Sequence, residues 1–283
     1  LQDGNLVVIS MAQSEVIVSK TGKTGKASTL VGIAKLRQGL KKFHQELVTP
    51  HTDFFTQLGE GQKPQAMFIT CSDSRVDPNL MTQSMPGELF VIRNAGAIIP
   101  AYDSQVSSGE AATIEYAVRV LEVEHIVVCG HSHCGAMSAL AEEVCLDKLP
   151  AMEKWLSHAQ PKRLRRSVSE NMEAPQRLDV TIRANVALQL ENLRSHPAVR
   201  EGLQAKTLML HGWVYNIETG SVCDYDPAVG FVEKMERWGH ASQPPRSDNS
   251  NSETNLASDP KKSADVTLKA VHLASAGLVA RTA

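Results

Sequence analysis

The chain is 283 residues long and 42% hydrophobic, enough to bury a core of its own with material left for tails. Its 29 Lys and Arg nearly balance its 31 Asp and Glu, so no global field selects nucleic acid or an anionic membrane, and an anionic substrate must be met by a local site. No apolar run approaches the ~20 residues of a membrane helix and no compact secretory stretch opens the chain, so a cytoplasmic protein is expected. Five cysteines, an odd number in a long chain, fit reduced thiols or metal ligands better than a disulfide framework.

Residues 1–29 contain the polar run SKTGKTGKAST, whose glycines lack the spacing of a phosphate loop; a mobile linker is expected there. The folded domain is expected over 30–238. It opens with an amphipathic helix over 30–48, where Leu30, Ile33, Leu36, Leu40, Phe43 and Leu47 recur at helical spacing. A short helix near 53–58 leads into an apolar strand at 66–70, and LFVIRN at 89–94 reads as a second. Helix composition over 109–121 precedes a third strand at 125–129, and a further helix over 178–194 precedes a fourth at 207–211. VYNIETGSVCDYD then alternates around a turn, which predicts a terminal hairpin. The basic cluster at 161–166 reads as a solvated helix face. From 239 to 283 the chain is a Ser, Asn, Asp and Pro-rich tail, expected to be disordered except for a short helix near its end.

Strand, polar motif and helix in repetition predict an α/β fold: a mostly parallel central sheet flanked by helices, with an N-terminal helical arm. Ligands of such sheets bind beyond the carboxyl ends of the strands. CSDSR and GHSHCG each follow a strand directly, so the topology can bring them together.

Together they offer a metal constellation. Zinc prefers thiolate and imidazole, and a catalytic zinc keeps three protein ligands and one open position. Cys71, His131 and Cys134 make that set, with His133 the alternative imidazole. Cys129, Cys145 and Cys223 are expected to be small buried hydrophobes, and His125 a surface or capping histidine. Asp73 and Arg75 are placed to form a two-pronged ion pair beside the metal. Two thiolates bring a Zn²⁺ site near neutrality and acidify a bound water less than three histidines would, so a second shell must compensate. An Arg75-oriented carboxylate could accept the hydrogen of a zinc-bound hydroxide; alternatively Asp73 closes the metal's fourth position, or simply caps a turn.

CSDSRVDP, PGELFVIRNAG, EYAV, VVCGHSHCG and HGWVYNIETG occur in that order, and the region from about 40 to 235 resembles the β-carbonic anhydrases. The resemblance implies a zinc lyase that hydrates carbon dioxide reversibly to bicarbonate, with one Zn²⁺ per subunit on Cys71, His131 and Cys134, and Asp73 with Arg75 as catalytic dyad. It implies a substrate pocket of Gln62, Phe90, Ala95, Tyr116 and Gly135, where Ala95 stands at a position that is Val in much of the family. It also implies a homodimer or larger homo-oligomer in which arms wrap a neighbour and pocket residues are shared. Phe68 stands where the allosteric subtype has Trp, which favours the open-site, non-allosteric subtype. The C-terminal tail resembles those of carboxysomal cyanobacterial members, implying a carboxysome-type partner and location. Two rival functions fit the residues: hydrolysis of carbonyl sulfide or carbon disulfide, and a zinc-stabilised binding module whose metal is closed by Asp73.

Overall fold

A computed structural model describes residues 32–106, 108–169 and 171–233. The chain divides into two compact units, 1–59 and 60–283. The expected linker at 1–29, the tail from 239 and its terminal helix lie outside the described residues.

In the first unit, α1 (Ile33–Lys42) passes through a π-helical turn at Phe43–Val48 and a 3₁₀ turn at Thr49–His51 into α2 (Thr52–Gly59). The single helix expected over 30–48 therefore loosens before it ends. Pro50 lacks the N–H that would continue the ladder, and the Thr49 hydroxyl donates instead to the His44 carbonyl at 2.9 Å. The predicted stripe is present but bare: Ile33, Leu36 and Leu40 are 62%, 64% and 68% exposed.

The second unit contains β1 (Ala66–Cys71), α3 (Pro78–Thr82), β2 (Leu89–Asn94), α4 (Gly109–Arg119), β3 (His125–His131) and α5 (Gly135–Ala141). It continues through α6 (Pro150–Leu156), α7 (Pro161–Arg165), α8 (Ala174–Ser195), α9 (Pro197–Gln204), β4 (Met209–Tyr215), β5 (Val222–Asp226) and β6 (Gly230–Glu233). The sheet order is β2-β1-β3-β4-β5-β6. The first four strands are parallel and the last two antiparallel. This is the mostly parallel α/β architecture that the alternation predicted.

Alternate strand residues enter two cores. Met67, Ile69, Ile126 and Val128 meet Ile114, Met137, Leu156 and Ile182 from the helices, whereas Phe68, Val127 and Cys129 pack with Met81 and Trp213 on the other face. The long helix α8 lies against β3 and β4. Glycine permits that approach: a Cβ on Gly212 would stand 2.8 Å from Leu190 Cδ1, and one on Gly130 would stand 2.9 Å from Val186 Cγ2. Gly212 thus lies inside a strand that the sequence reading ended at His211, and β4 itself forms the first arm of the predicted hairpin. α8 begins earlier than position 178, because the Gln176 side chain accepts the Glu173 N–H at 3.3 Å and Pro175 fits the first turn. Among the described helices, none is long and apolar enough to cross a membrane.

Candidate metal centre

β1 and β3 are adjacent and parallel, which places their carboxyl ends side by side. Cys71 is the last residue of β1 and His131 the last of β3. Beyond β3 the chain turns through His133 at φ 57, a left-handed conformation, and Cys134 becomes the N-cap of α5. The donor atoms of Cys71, His131 and Cys134 all lie within 4.8 Å of one another, and all three residues are buried. A tetrahedral zinc with bonds of about 2.0 to 2.3 Å needs its ligand atoms roughly 3.3 to 3.8 Å apart, so a cluster of this size and donor chemistry suits that ion.

His131 states the requirement for a cation most directly. Its Nδ1 lies 2.8 Å from the Ser132 carbonyl, which accepts the ring proton and leaves the Nε2 lone pair free. That Nε2 is the buried side-chain nitrogen without a hydrogen-bond partner among the described residues. An orphaned buried acceptor is costly unless a ligand fills it. The thiols agree. Cys71 is held down to about 4, chiefly by a hydrogen bond from Cys134, with the N–H groups of Gly96 and Asp73 adding to it. The same hydrogen bond and burial push Cys134 upward. The metal-free pair thus shares one proton, which a divalent cation displaces.

Asp73 and Arg75 form the expected pair. Arg75 Nε donates to Asp73 Oδ1 at 2.9 Å and Nη2 to Oδ2 at 2.7 Å, while the Arg75 backbone N–H also reaches Oδ1 at 3.0 Å. These contacts hold the Asp73 carboxyl well below the usual carboxylate range, with the Arg75 side chain the largest cause. Asp73 Oδ2 lies 3.9 Å from His131 Nε2, beside the point where the ligand atoms converge. Arg75 Nη2 also donates to the His133 carbonyl at 3.2 Å, tying the two motifs together.

The five pocket residues divide. Ala95 and Gly135 adjoin the metal end, next to Asn94 (the partner of Cys71) and to Cys134. Phe90 pairs with Met67, four residues and about 13 Å before Cys71 along the sheet. Phe90 and Tyr116 meet each other, with ring centroids 6.0 Å apart, and Gln62 is exposed ahead of β1. Three of the five therefore gather toward the opposite end of the strands from this chain's own metal ligands.

Two expectations fail. Cys145 is exposed rather than buried, because it falls in the irregular segment after α5, whereas Cys129 and Cys223 are buried as expected. His125 is half-buried and hydrogen-bonds across adjacent strands to His211 at 3.1 Å. One residue at the site escaped the sequence reading. Arg93 donates to the Cys71 and Asp73 carbonyls at 3.1 and 2.7 Å and fixes the turn carrying both side chains. Its signal was a lone cation near the end of the apolar strand LFVIRN.

A Cys-His-Cys cluster at the carboxyl ends of parallel strands, with an oriented carboxylate beside it, defines a zinc enzyme of the α/β class. A family model described as carbonic anhydrase matches residues 66–222. A carbonic anhydrase of Pseudomonas aeruginosa is 50% identical over 190 residues, 67% of this chain and 86% of the relative. One of Synechocystis is 48% identical over 208 residues, 72% of this chain and 75% of the relative. Among solved structures, the β-carbonic anhydrase CcaA superposes with a TM-score of 0.68 at 45% identity, covering 71% of this chain and 98% of CcaA. The chain belongs to the carbonic anhydrase family, in its β class, and its cysteine-histidine cluster is the zinc site of a carbon dioxide-hydrating enzyme.

Proposed function

We propose that Asp73 and Arg75 are the catalytic dyad of this hydration and that its pocket is completed by a second copy of the chain. The observation carrying the first part is the Asp73 carboxylate, gripped by Arg75 on both oxygens and 3.9 Å from His131 Nε2. Zinc held by Cys71, His131 and Cys134 would supply a Lewis acid that makes water nucleophilic near neutral pH. Asp73, kept ionised by Arg75, accepts a hydrogen bond from the reacting water and turns its lone pair toward carbon dioxide. Arg93 holds the Cys71 and Asp73 carbonyls, which keeps the carboxylate in register with the ligand beside it. The carboxylate's engagement with Arg75 favours the open, non-allosteric form, in agreement with Phe68, which meets Trp213 edge-on at 5.8 Å.

The second part rests on the divided pocket and the bare stripe of α1. Ile33, Leu36, Leu40 and Phe43 form an apolar face that a neighbouring subunit would cover. Gln62, Phe90 and Tyr116, remote from this chain's metal ligands, would then serve the partner's metal and line its pocket with Ala95 and Gly135. Two carbonic anhydrases of Sordaria macrospora, one matching with a TM-score of 0.59 at 27% identity, are described as tetrameric. A carboxysome-type partner for the tail from 239 onward rests on its resemblance to carboxysomal members alone; removing the tail would leave hydration intact and abolish any such association.

Mixed subunits test the shared pocket. Asp73→Asn and Tyr116→Ala proteins, each weak alone, regain stopped-flow hydration when unfolded and refolded together, because one of the two sites then receives both native residues. Absence of any recovery would place the pocket within one chain. Carbonyl sulfide turnover faster than hydration would favour the rival hydrolase.

A further inference from the structure

The loop after β2 passes behind Cys71, and Gly96 N–H donates to Cys71 Sγ at 3.4 Å. The carbonyl of that same peptide unit, belonging to Ala95, accepts from the Trp155 indole N–H at 2.8 Å. A trans peptide points its C=O and N–H in opposite directions, so Trp155 and the Cys71 sulfur hold one peptide from its two sides. Donation into a carbonyl polarises the unit and strengthens its N–H as a donor.

The next peptide is held as firmly. The Gly96 carbonyl accepts from Asn185 Nδ2 at 3.0 Å, and Asn185 Oδ1 accepts from Gln189 Nε2 at 2.8 Å. Gln189 Oε1 in turn accepts the Ile99 N–H at 2.9 Å. Asn185 and Gln189 are buried on α8. Gly96 has φ +85, and a Cβ there would stand 2.9 Å from Met137 Cε, so the peptide has little freedom to re-aim.

We propose that Trp155, with Asn185 behind it, is a positioning residue of the metal centre: it fixes and polarises the Ala95–Gly96 peptide so that Gly96 N–H restrains the charge that Cys71 donates to zinc. Two thiolates leave the cation nearly neutral, and a hydrogen bond to one sulfur returns part of its Lewis acidity. The indole N–H of Trp155 goes to that carbonyl rather than to a ligand atom or the proposed dyad. This inference rests on the zinc site described above.

The test replaces Trp155 by Phe, which retains a ring and removes the N–H, in the full chain loaded with Co²⁺ in place of zinc. The sulfur-to-cobalt charge-transfer band of W155F is expected at longer wavelength than in the wild type, because a sulfur relieved of its hydrogen bond gives up charge more easily. In the zinc protein the pH–rate profile moves toward alkaline pH, because more of the Cys71 charge reaches the cation and acidifies its water less. N185A, which leaves the indole in place, moves the band in the same direction and serves if W155F fails to fold. A cobalt band and pH profile identical to wild type in the folded variants, with only thermal stability reduced, would reduce Trp155 to a packing residue. Wild-type protein that takes up cobalt without any thiolate band would overturn the metal reading as well.

Discussion

The metal cluster and the ion pair beside it belong to one site but live in different solvents. Cys71, His131 and Cys134 are 7%, 0% and 2% exposed, whereas the Asp73 and Arg75 side chains are 17% and 48% exposed. A buried imidazole nitrogen left without a partner beside two thiols is satisfied by a cation, so depth makes metal retention strong. The pair at the rim needs no cation for its own satisfaction. Its geometry is set by Arg75, and as an ion pair near water it adds little to stability. On the proposed reading the buried part holds the metal and the more exposed pair directs the water.

Removing a ligand should break the buried part outright. Cys134→Ser is expected to lose stoichiometric zinc and bring hydration to background, read by metal analysis and stopped flow together. Asp73→Asn should keep its zinc and lose roughly 100-fold or more in kcat, the scale of one lost transition-state hydrogen bond. Arg75→Lys keeps the charge but not the two-pronged grip, and a loss of about tenfold with zinc retained is expected.

The smallest effect is on stability and is read in metal-free protein. Cys71 is depressed in the folded state from 9.0 to about 4, so its contribution is complete above the unfolded value and fades as pH falls between the two. Cys134 is raised above 9.0 and opposes folding only at more alkaline pH, where the unfolded thiol ionises. Urea midpoints of the apo protein should therefore rise from about pH 5 toward pH 8 and fall well above pH 9. A flat profile would mean that the two thiols share no proton.

Much of this was readable in the sequence for physical reasons. Apolar runs ending in CSDSR and GHSHCG located the strands that matter, and parallel topology forces such ends together. The helices opening on Pro150 and Pro197 were missed because they are short and carry few periodic residues, whereas the helix at Pro161–Arg165 falls on the basic cluster that reads as a solvated helix face. β6 was missed because it is a four-residue edge strand. The sequence reading ends the fourth strand at His211, whereas Gly212 lies inside it as a point of close approach to α8, a property that the opposing Leu190 and Val186 reveal. At the site, ligands and ion pair were visible as residue types. Arg93, Trp155 and Asn185 donate to backbone carbonyls, and a side chain's carbonyl partner leaves no local pattern.

The division between holding and directing is tested most directly by measuring zinc content and carbon dioxide hydration on the same samples of wild type and Asp73→Asn, from about pH 6.5 to 9. One zinc per chain in both, with hydration rising with pH in the wild type and largely lost in the variant, is the result predicted. Equal hydration at equal zinc would show that the exposed pair does not take part in the chemistry, and loss of zinc from the variant would show that Asp73 holds the metal after all.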